Sequence, residues 1–487
     1  MPVASLLTSL EDFNGSPTFP GYGGGQGAGV NTDIIIEGTQ SGGRRVDAAT
    51  DAGFGASFTA ANLSGAGEHV KVWLFVTQWR SVTQVQIRIS SGADDDHEFP
   101  VAEYPSLGGF VPVWVDVSRA PEVGGTANEA SISEVGVLLD IGNVGGNAPN
   151  LIIDEIMHGT SGLKWTGTGG TVADFISYED TNNEGSLVAL NGVNFLYSRL
   201  ESGDTTADTF VDSGFTIICP DQSLVSDTFM GWTLRGTDSL TNGTFGSANP
   251  LGATKRPDLI CEGAQTLSGM TLPGLRLLQL NAASSLVSGS SALVQELTQN
   301  GGTISDSAIS CLSAAGVAVC DDFDATTASN VTWSQAGSGH AIEITAPGTY
   351  DFDAQFFTGF GSNGANDAAI YNNSGGAVTI NVLSGGDNPT FRDGTGASTA
   401  VVNSVTVTLN DLVAGSVVYI LNTTDSVEIA RLVEPTSTFS TTVNYTADKA
   451  LLIRVRNHSS APFYQDFQAT GTLTAAGFNL NVNQLLD

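Results

Sequence analysis

Apolar side chains in this chain recur at every second residue, in short runs that end at Gly, Asn, Asp or Ser. They almost never recur at the three- to four-residue spacing of an amphipathic helix. A period of two places alternate side chains on opposite faces of an extended strand, so the pattern confines the chain to all-β architectures. In Gln84-Val85-Gln86-Ile87-Arg88-Ile89-Ser90 the three apolar residues share one face, and Gln84, Gln86, Arg88 and Ser90 share the other. Val111, Val113, Val115 and Val117 repeat the arrangement, with Trp114 and Asp116 opposed to them. Such alternation predicts antiparallel sheets with one face buried and one wet.

A chain of 487 residues is too long for one core, and about three domains are expected. Residues 1–160 read as a β-sandwich of jelly-roll type. Its strands fall at Asp33–Glu37, Val70–Thr77, Val82–Ser90, Phe110–Val117, Glu134–Ile141 and Leu151–Met157, and the glycine-rich run from Gly21 to Gly29 reads as a mobile loop.

Residues 161–398 behave differently. A small polar residue, a second polar residue and then an apolar one recur in Ser226-Asp227-Thr228-Phe229, Asn242-Gly243-Thr244-Phe245, Ser268-Gly269-Met270-Thr271-Leu272, Ser305-Asp306-Ser307-Ala308-Ile309, Asn330-Val331-Thr332-Trp333 and Phe352-Asp353-Ala354-Gln355-Phe356. Ile309, Trp333 and Phe356 lie 24 and then 23 residues apart, which suits one coil per repeat of a short right-handed parallel β-helix. The earlier spacings of 16, 27 and 37 residues call for insertions between coils. Leu275–Gln299, with Leu293, Val294 and Leu297 in loosely helical spacing, is either a short helix or a decorated coil.

Residues 399–487 return to antiparallel alternation, with strands at Val401–Leu409, Ser416–Asn422, Glu428–Val433, Phe439–Tyr445 and Leu451–Asn457. That is the pattern of a small immunoglobulin-like sandwich. The tail Asn479–Asp487 alternates as well and can add a strand to a neighbour.

Fifty acidic against 17 basic side chains give a formal net charge of -33. A surface of that sign repels phosphate backbones and anionic bilayers, so no nucleic-acid partner is expected. No stretch approaches the ~20 apolar residues of a membrane span, so no membrane insertion is expected either. The start of the chain, Met1-Pro2-Val3-Ala4-Ser5-Leu6, shows no secretion signal. Cys219, Cys261, Cys311 and Cys320 form no CxxC pair and read as buried free thiols, in keeping with folding in a reducing cytoplasm.

The run from His340 to Tyr350 (His340-Ala341-Ile342-Glu343-Ile344-Thr345-Ala346-Pro347-Gly348-Thr349-Tyr350), with Phe356-Phe357-Thr358-Gly359-Phe360 and Ala369–Ile380, resembles segments of β-helical structural and tail proteins of tailed bacteriophages. Leu412–Ile420 resembles the start of the small sandwiches that follow such segments. The resemblance covers residues 300–460 and carries no catalytic motif. It implies a virion protein, in the tail or its fibres or on the capsid exterior, that contacts other virion proteins and is often oligomeric. Its short β-helix has ends that assembly would cover, and a homotrimer is the first expectation.

Catalytic signatures are scarce. Gly23, Gly25 and Ala28 fail as a dinucleotide fingerprint, no lysine follows a glycine loop, and no GxSxG elbow exists. The five histidines, His69, His97, His158, His340 and His458, are scattered along the chain. Paired carboxylates are the remaining route to an enzyme, a tailspike that cleaves host-surface glycan. The candidate acids are Asp204, Asp208, Asp227, Asp306, Asp321, Asp322, Asp324, Asp351 and Asp353, and spacing selects no pair among them.

Asp94-Asp95-Asp96-His97-Glu98 offers oxygen ligands for calcium but lacks the EF-hand spacing, and reads first as a solvated loop between two strands. Trp79 and Trp114 either stack on sugar rings or pack under a loop or against another subunit. No catalytic, cofactor-binding or metal-binding residue is therefore assigned. The expected role is a non-enzymatic virion component contributing to assembly and attachment. The glycan depolymerase is the alternative, and a bacterial surface adhesin is disfavoured by the missing secretion signal.

Overall fold

The alternating runs of the first 160 residues pair as two antiparallel sheets in the structure, a computed structural model. It describes residues 3–15, 17–22, 28–32, 35, 40–46, 52–78, 81–92, 95–101, 110–118, 123–124, 127–142, 148–160, 162–190, 192–221, 229–253, 255–445, 448–457, 464–474 and 476–485. Residues 1–298 and 299–487 form two compact units. Among the described residues the chain is all-β apart from one α-helix and short 3-10 turns.

In the first unit, one sheet runs Val111–Asp116, His69–Val76, Asn150–Gly159, Ser41–Arg45, Gly29–Asn31, with Thr8–Glu11 also on Asn150–Gly159. The other runs Val123–Gly124, Asp95–Val101, Val82–Gly92, Ile132–Ile141, Ala52–Ala61, Gly21–Tyr22. Val72, Leu74, Val85, Ile87, Ile89, Val113, Val115, Val137, Leu139 and Ile153 meet between them as the core. The strands expected here form within a residue or two, except Asp33–Glu37, of which only Ile35 is described and is not in a strand.

One expectation for this sandwich fails, and another falls largely outside the described residues. The ends of the supposed glycine loop are strands, and Tyr22 is held by its hydroxyl on Glu134 and by Arg88, 4.4 Å from its ring; residues 23–27 lie outside the described residues. The wet face of Val111–Asp116 is not wet. Trp114 is 2% exposed, its ring 5.2 Å from that of Phe229, and Asp116 is buried as well. On the neighbouring strand His69 stacks on Phe229 at 3.5 Å, Lys71 is 0% exposed, and Trp73 Nε1 donates to the Asn183 carbonyl at 2.7 Å. Residues beyond 160 therefore cover the outer face of this sheet.

The cover includes the helix Val172–Asn182, which sequence periodicity missed. Asp174 accepts from the Thr171 N–H at 2.8 Å, closing the N-terminus in the manner of a capping box, and Asn183 ends the helix at φ 52°. Its buried residues are Val172, Phe175 and Glu179, so the third core-facing position is an acid and the apolar stripe is broken there. The Glu179 carboxylate accepts from the N–H groups of Gly185 (2.9 Å), Ser186 (2.8 Å) and Leu187 (2.8 Å). Gly185 is required twice, by φ +75° and by a space in which a Cβ would lie 2.7 Å from Trp73. Lys71 Nζ completes the network, donating to Glu155 Oε2 and to the Glu184 carbonyl, each at 2.7 Å.

From Leu163 the pairing turns parallel and coils stack. Leu163, Leu200, Trp232, Leu259, Leu278 and Leu297 align in register as one fully buried column, although 37, 32, 27, 19 and 19 residues separate them. Side-chain stacking sets this register, and coils of unequal length bulge outward between stacked strands. Thr244 pairs with Thr271, so Phe245 and Leu272 do recur at 27 residues. Phe229 is not in the stack, because it faces the sandwich. Leu275–Gln299 contains no helix; Thr271–Gln279, Ser285–Val287 and Ser291–Thr298 are coil strands.

In the second unit parallel coils run from Thr303–Cys311 to the long strand Ser398–Asn410. Asp306, Asn330 and Ala354 occupy the left-handed region at φ 50°, 51° and 48°, 24 residues apart, and mark successive coil corners. Ile309 pairs with Trp333 as expected, but Trp333 pairs with Phe357, not Phe356; the buried inward residue is Gln355, which accepts from Trp333 Nε1 at 2.9 Å.

Ser398–Asn410 pairs parallel with Ala377–Leu383 along its first half and antiparallel with Phe439–Tyr445 along its second. The C-terminal sandwich grows from that second half. Val407, Leu409, Val418, Ile420, Ile453 and Val455 fill its core against a four-stranded sheet of Val427–Glu434, Ser416–Asn422, Lys449–Arg456 and Phe467–Leu473. The tail strand Phe478–Asn481 adds in parallel to Val407–Asn410.

Candidate functional site

The acids singled out in the coils are engaged as structural acceptors. Asp208 accepts backbone N–H groups from Asp204 (2.7 Å), Thr205 (3.0 Å) and Gly167 (2.9 Å), which hold its carboxyl below the usual range. Asp204 pairs with Lys164. Asp322 accepts from Gln299 N–H at 2.8 Å and Asn300 N–H at 2.6 Å, and Asp324 caps the turn at Thr326. Asp306 accepts from Asn330 Nδ2 and Asp351 from Asn381 Nδ2, both at 2.7 Å, while Asp353 binds the Ser384 hydroxyl. Asp321 is exposed in the turn after Ala318–Cys320, and Asp227 lies outside the described residues.

The chain's densest acidic run is a strand, not a loop. Asp95–Val101 pairs with Val82–Gly92, Asp96 Oδ2 meets Arg88 Nη2 at 2.7 Å, and His97 lies 3.7 Å from Glu129; Asp94 falls outside the described residues. Among the described residues no group of three or more His, Cys, Asp or Glu is arranged to hold a metal ion. The four cysteines are free and buried, and burial pushes every thiol up, away from the reactive thiolate. Trp79 lies outside the described residues, and Trp114 is covered by its own chain, so no sugar platform forms there.

The first unit does contain a cleft of about 340 Å³, lined by His69, Arg199, Glu201, Phe229, Asp258 and Arg276 among others. Its charges come from successive coils. Arg199 pairs across the ladder with Gly231, and Gly231 with Asp258. A Cβ at Gly231 would lie 2.7 Å from the Asp258 carbonyl oxygen; without one, Arg199 Nη2 comes within 3.6 Å of Asp258 Oδ2. Arg276 Nη2 reaches the same oxygen at 2.6 Å. Further along the face Arg235 bridges Glu201 and Glu262.

This ladder ties coil to coil and offers little chemistry. The two carboxyls on these coils that burial raises, Asp238 and Asp258, are 3% and 1% exposed, and Asp258 is held by Arg276 and Arg199. His69, the cleft's one imidazole, is pushed down to about 4 by burial and stays neutral at physiological pH. Its Nδ1 lies 2.7 Å from the Gly67 carbonyl. Sequence patterns missed Arg199, Asp258 and Arg276 because they belong to coils of unequal length and only the stack brings them together.

A second exposed surface lies on the C-terminal sandwich, where Val417, Tyr419, Arg431, Arg454 and Arg456 line a shallow depression of about 300 Å³. Among the described residues no helix is long and apolar enough to cross a membrane.

No protein-family model and no curated protein matches this chain. Among solved structures, a family 11 carbohydrate-binding module from Clostridium thermocellum, in complex with a β-1,3-1,4-mixed-linked tetrasaccharide, aligns with 31% of this chain and 95% of its own, at 14% identity and a TM-score of 0.23. A family 29 carbohydrate-binding module from Piromyces equi covers 32% of this chain and 89% of its own, at 11% identity and a TM-score of 0.18. An exo-β-agarase covers 31% and 24%, at 11% identity and a TM-score of 0.23. Likenesses of that size carry no argument about what this chain binds or does.

Proposed function

We propose that this chain is a non-enzymatic structural protein of a tailed-bacteriophage particle, in the tail or its fibres or on the capsid exterior, contributing to assembly and host-surface attachment. The observation that supports a scaffold over an enzyme is the use made of the coil acids. Asp204, Asp208, Asp306, Asp322, Asp324, Asp351 and Asp353 cap turns or bind neighbouring side chains. A glycan hydrolase needs two carboxyls free to flank one bond. The phage assignment rests on the resemblance of residues 300–460 to β-helical tail proteins.

Mass spectrometry and immunogold labelling of purified particles test it. The protein is expected on the particle exterior, and its absence from particles would overturn the virion reading. Incubation with host polysaccharide tests the other half, with no new reducing ends expected. Reducing ends lost on substituting one coil acid would make it a depolymerase.

A further inference from the structure

The outer face of the four-stranded C-terminal sheet gathers arginines in an otherwise acidic chain. Residues 299–487 hold five basic side chains, Arg392, Arg431, Lys449, Arg454 and Arg456, against 17 acidic ones. Three of those five line the one depression around Tyr419. The register explains the cluster: Arg431 and Arg454 are the partners of Tyr419 on the strands to either side, and Val433 and Arg456 are the partners of Val417.

Arg431 covers the Tyr419 ring at 4.7 Å, so the face presents guanidinium groups rather than a bare aromatic platform. Arg431 and Arg456 pair with Glu428 and Asp466, whereas Arg454 Nε donates to the neutral Gln468 at 3.1 Å. Val417 and Val433, 41% and 60% exposed, supply apolar ground beside them. Arg, Tyr and exposed aliphatic residues together, without Lys, are the composition of protein–protein contacts.

We propose that this face docks against the acidic exterior of a second copy of this chain. At a formal net charge of -33, copies repel wherever acid meets acid, and a basic face is where that repulsion turns to attraction. Packing this face on the same face of a second copy would bring two arginine clusters together. The proposed contact is head-to-tail, with the basic face of one copy on a different, acidic surface of the next, a geometry that gives a closed ring or an open filament according to the rotation between copies.

Sedimentation velocity of the full chain, from about 0.05 M to about 0.5 M salt, tests this, because exposed charge contacts weaken as the screening length shrinks. A species of several times 50.2 kDa is expected at low salt, dissociating as salt rises. The double variant Arg454→Glu with Arg456→Glu is expected to weaken association at least tenfold. Unchanged hydrogen-exchange protection of Ser416–Asn422 would establish that the variant sheet is folded. Arg454→Lys with Arg456→Lys keeps the charge and is expected to retain most of the association.

A wild-type monomer throughout the series overturns the proposal, as does a folded double-Glu variant that assembles like the wild type. Retention of a monomer on an anionic polysaccharide column, lost in the double-Glu variant, would reassign the face to glycan. The outcome is separable from the virion reading, which depends on where the protein is found and not on its mass in solution.

Discussion

Replacing Lys71 by Met tests whether the buried charge network holds the helix side of the first unit to its sandwich. Lys71 is 0% exposed and its ammonium makes two hydrogen bonds of 2.7 Å, to Glu155 Oε2 and the Glu184 carbonyl. Met keeps the apolar stem and removes the charge, which strands the Glu155 carboxylate in a buried position. Breaking a buried pair by deleting one partner costs about 3–5 kcal/mol, most of it the penalty of the orphaned ion. Lys71→Met should therefore destabilise the unit by that amount. Adding Glu155→Gln, which removes the orphaned charge, should restore about 2 kcal/mol through coupling between the two sites. Urea-dependent hydrogen exchange, read by mass spectrometry on His69–Val76 and Asn150–Gly159, isolates this unit from the rest of the chain. A single variant within about 1 kcal/mol of the wild type would refute the reasoning, since a loss that small is below any buried-pair penalty. So would a double variant as unstable as the single.

Three further outcomes are expected. Burial raises Glu179 to about 7 and lowers His69 to about 4. Between pH 4.5 and 7 the native state keeps a proton on Glu179 that the unfolded chain has lost, so its contribution falls as pH rises. Between pH 4 and 6.5 the unfolded chain binds a proton on its histidine that native His69 refuses, so that contribution falls as pH drops. Glu179→Gln removes the first slope, and urea midpoints should then fall more steeply toward acid than those of the wild type; an unchanged pH profile would reject the raised Glu179.

The native protein should leave Cys219, Cys261, Cys311 and Cys320 unreacted with a thiol reagent, and all four should react in denaturant. Rapid labelling of the folded chain would contradict their burial. Asn330→Ala places a Cβ residue without a polar side chain at φ 51° and deletes the bond to Asp306, costing about 1–2 kcal/mol, while Asn330→Gly should cost less than half of that. Thermal unfolding of both variants distinguishes a strained corner from an ordinary loop.

Much of this architecture is written in local patterns. Ser416–Asn422 and Phe439–Tyr445 are expected and found with the same bounds, because a period of two with polar turns specifies an antiparallel strand without help from distant residues. The 24-residue interval from Ile309 to Trp333 is legible for a related reason: small polar residues recur at corners where only a few residue types tolerate positive φ. The helix Val172–Asn182 is illegible because Glu179 occupies a core-facing position, and its burial depends on N–H donors from Gly185, Ser186 and Leu187 that the helix itself does not supply.

The same division separates fold from surface chemistry. The sequence alone determined that the chain is all-β, through its period of two, that coils recur near 24 residues, through the spacing of Ile309 and Trp333, and that its cysteines are free thiols, through the absence of CxxC pairs. Only the tertiary structure decided that Trp114 is covered by Phe229, that Arg199 and Arg276 converge on Asp258, and that Arg431, Arg454 and Arg456 share one face. Those neighbours are set by strand register across coils and sheets, and register depends on the packing of side chains far apart in sequence, which a local period cannot encode.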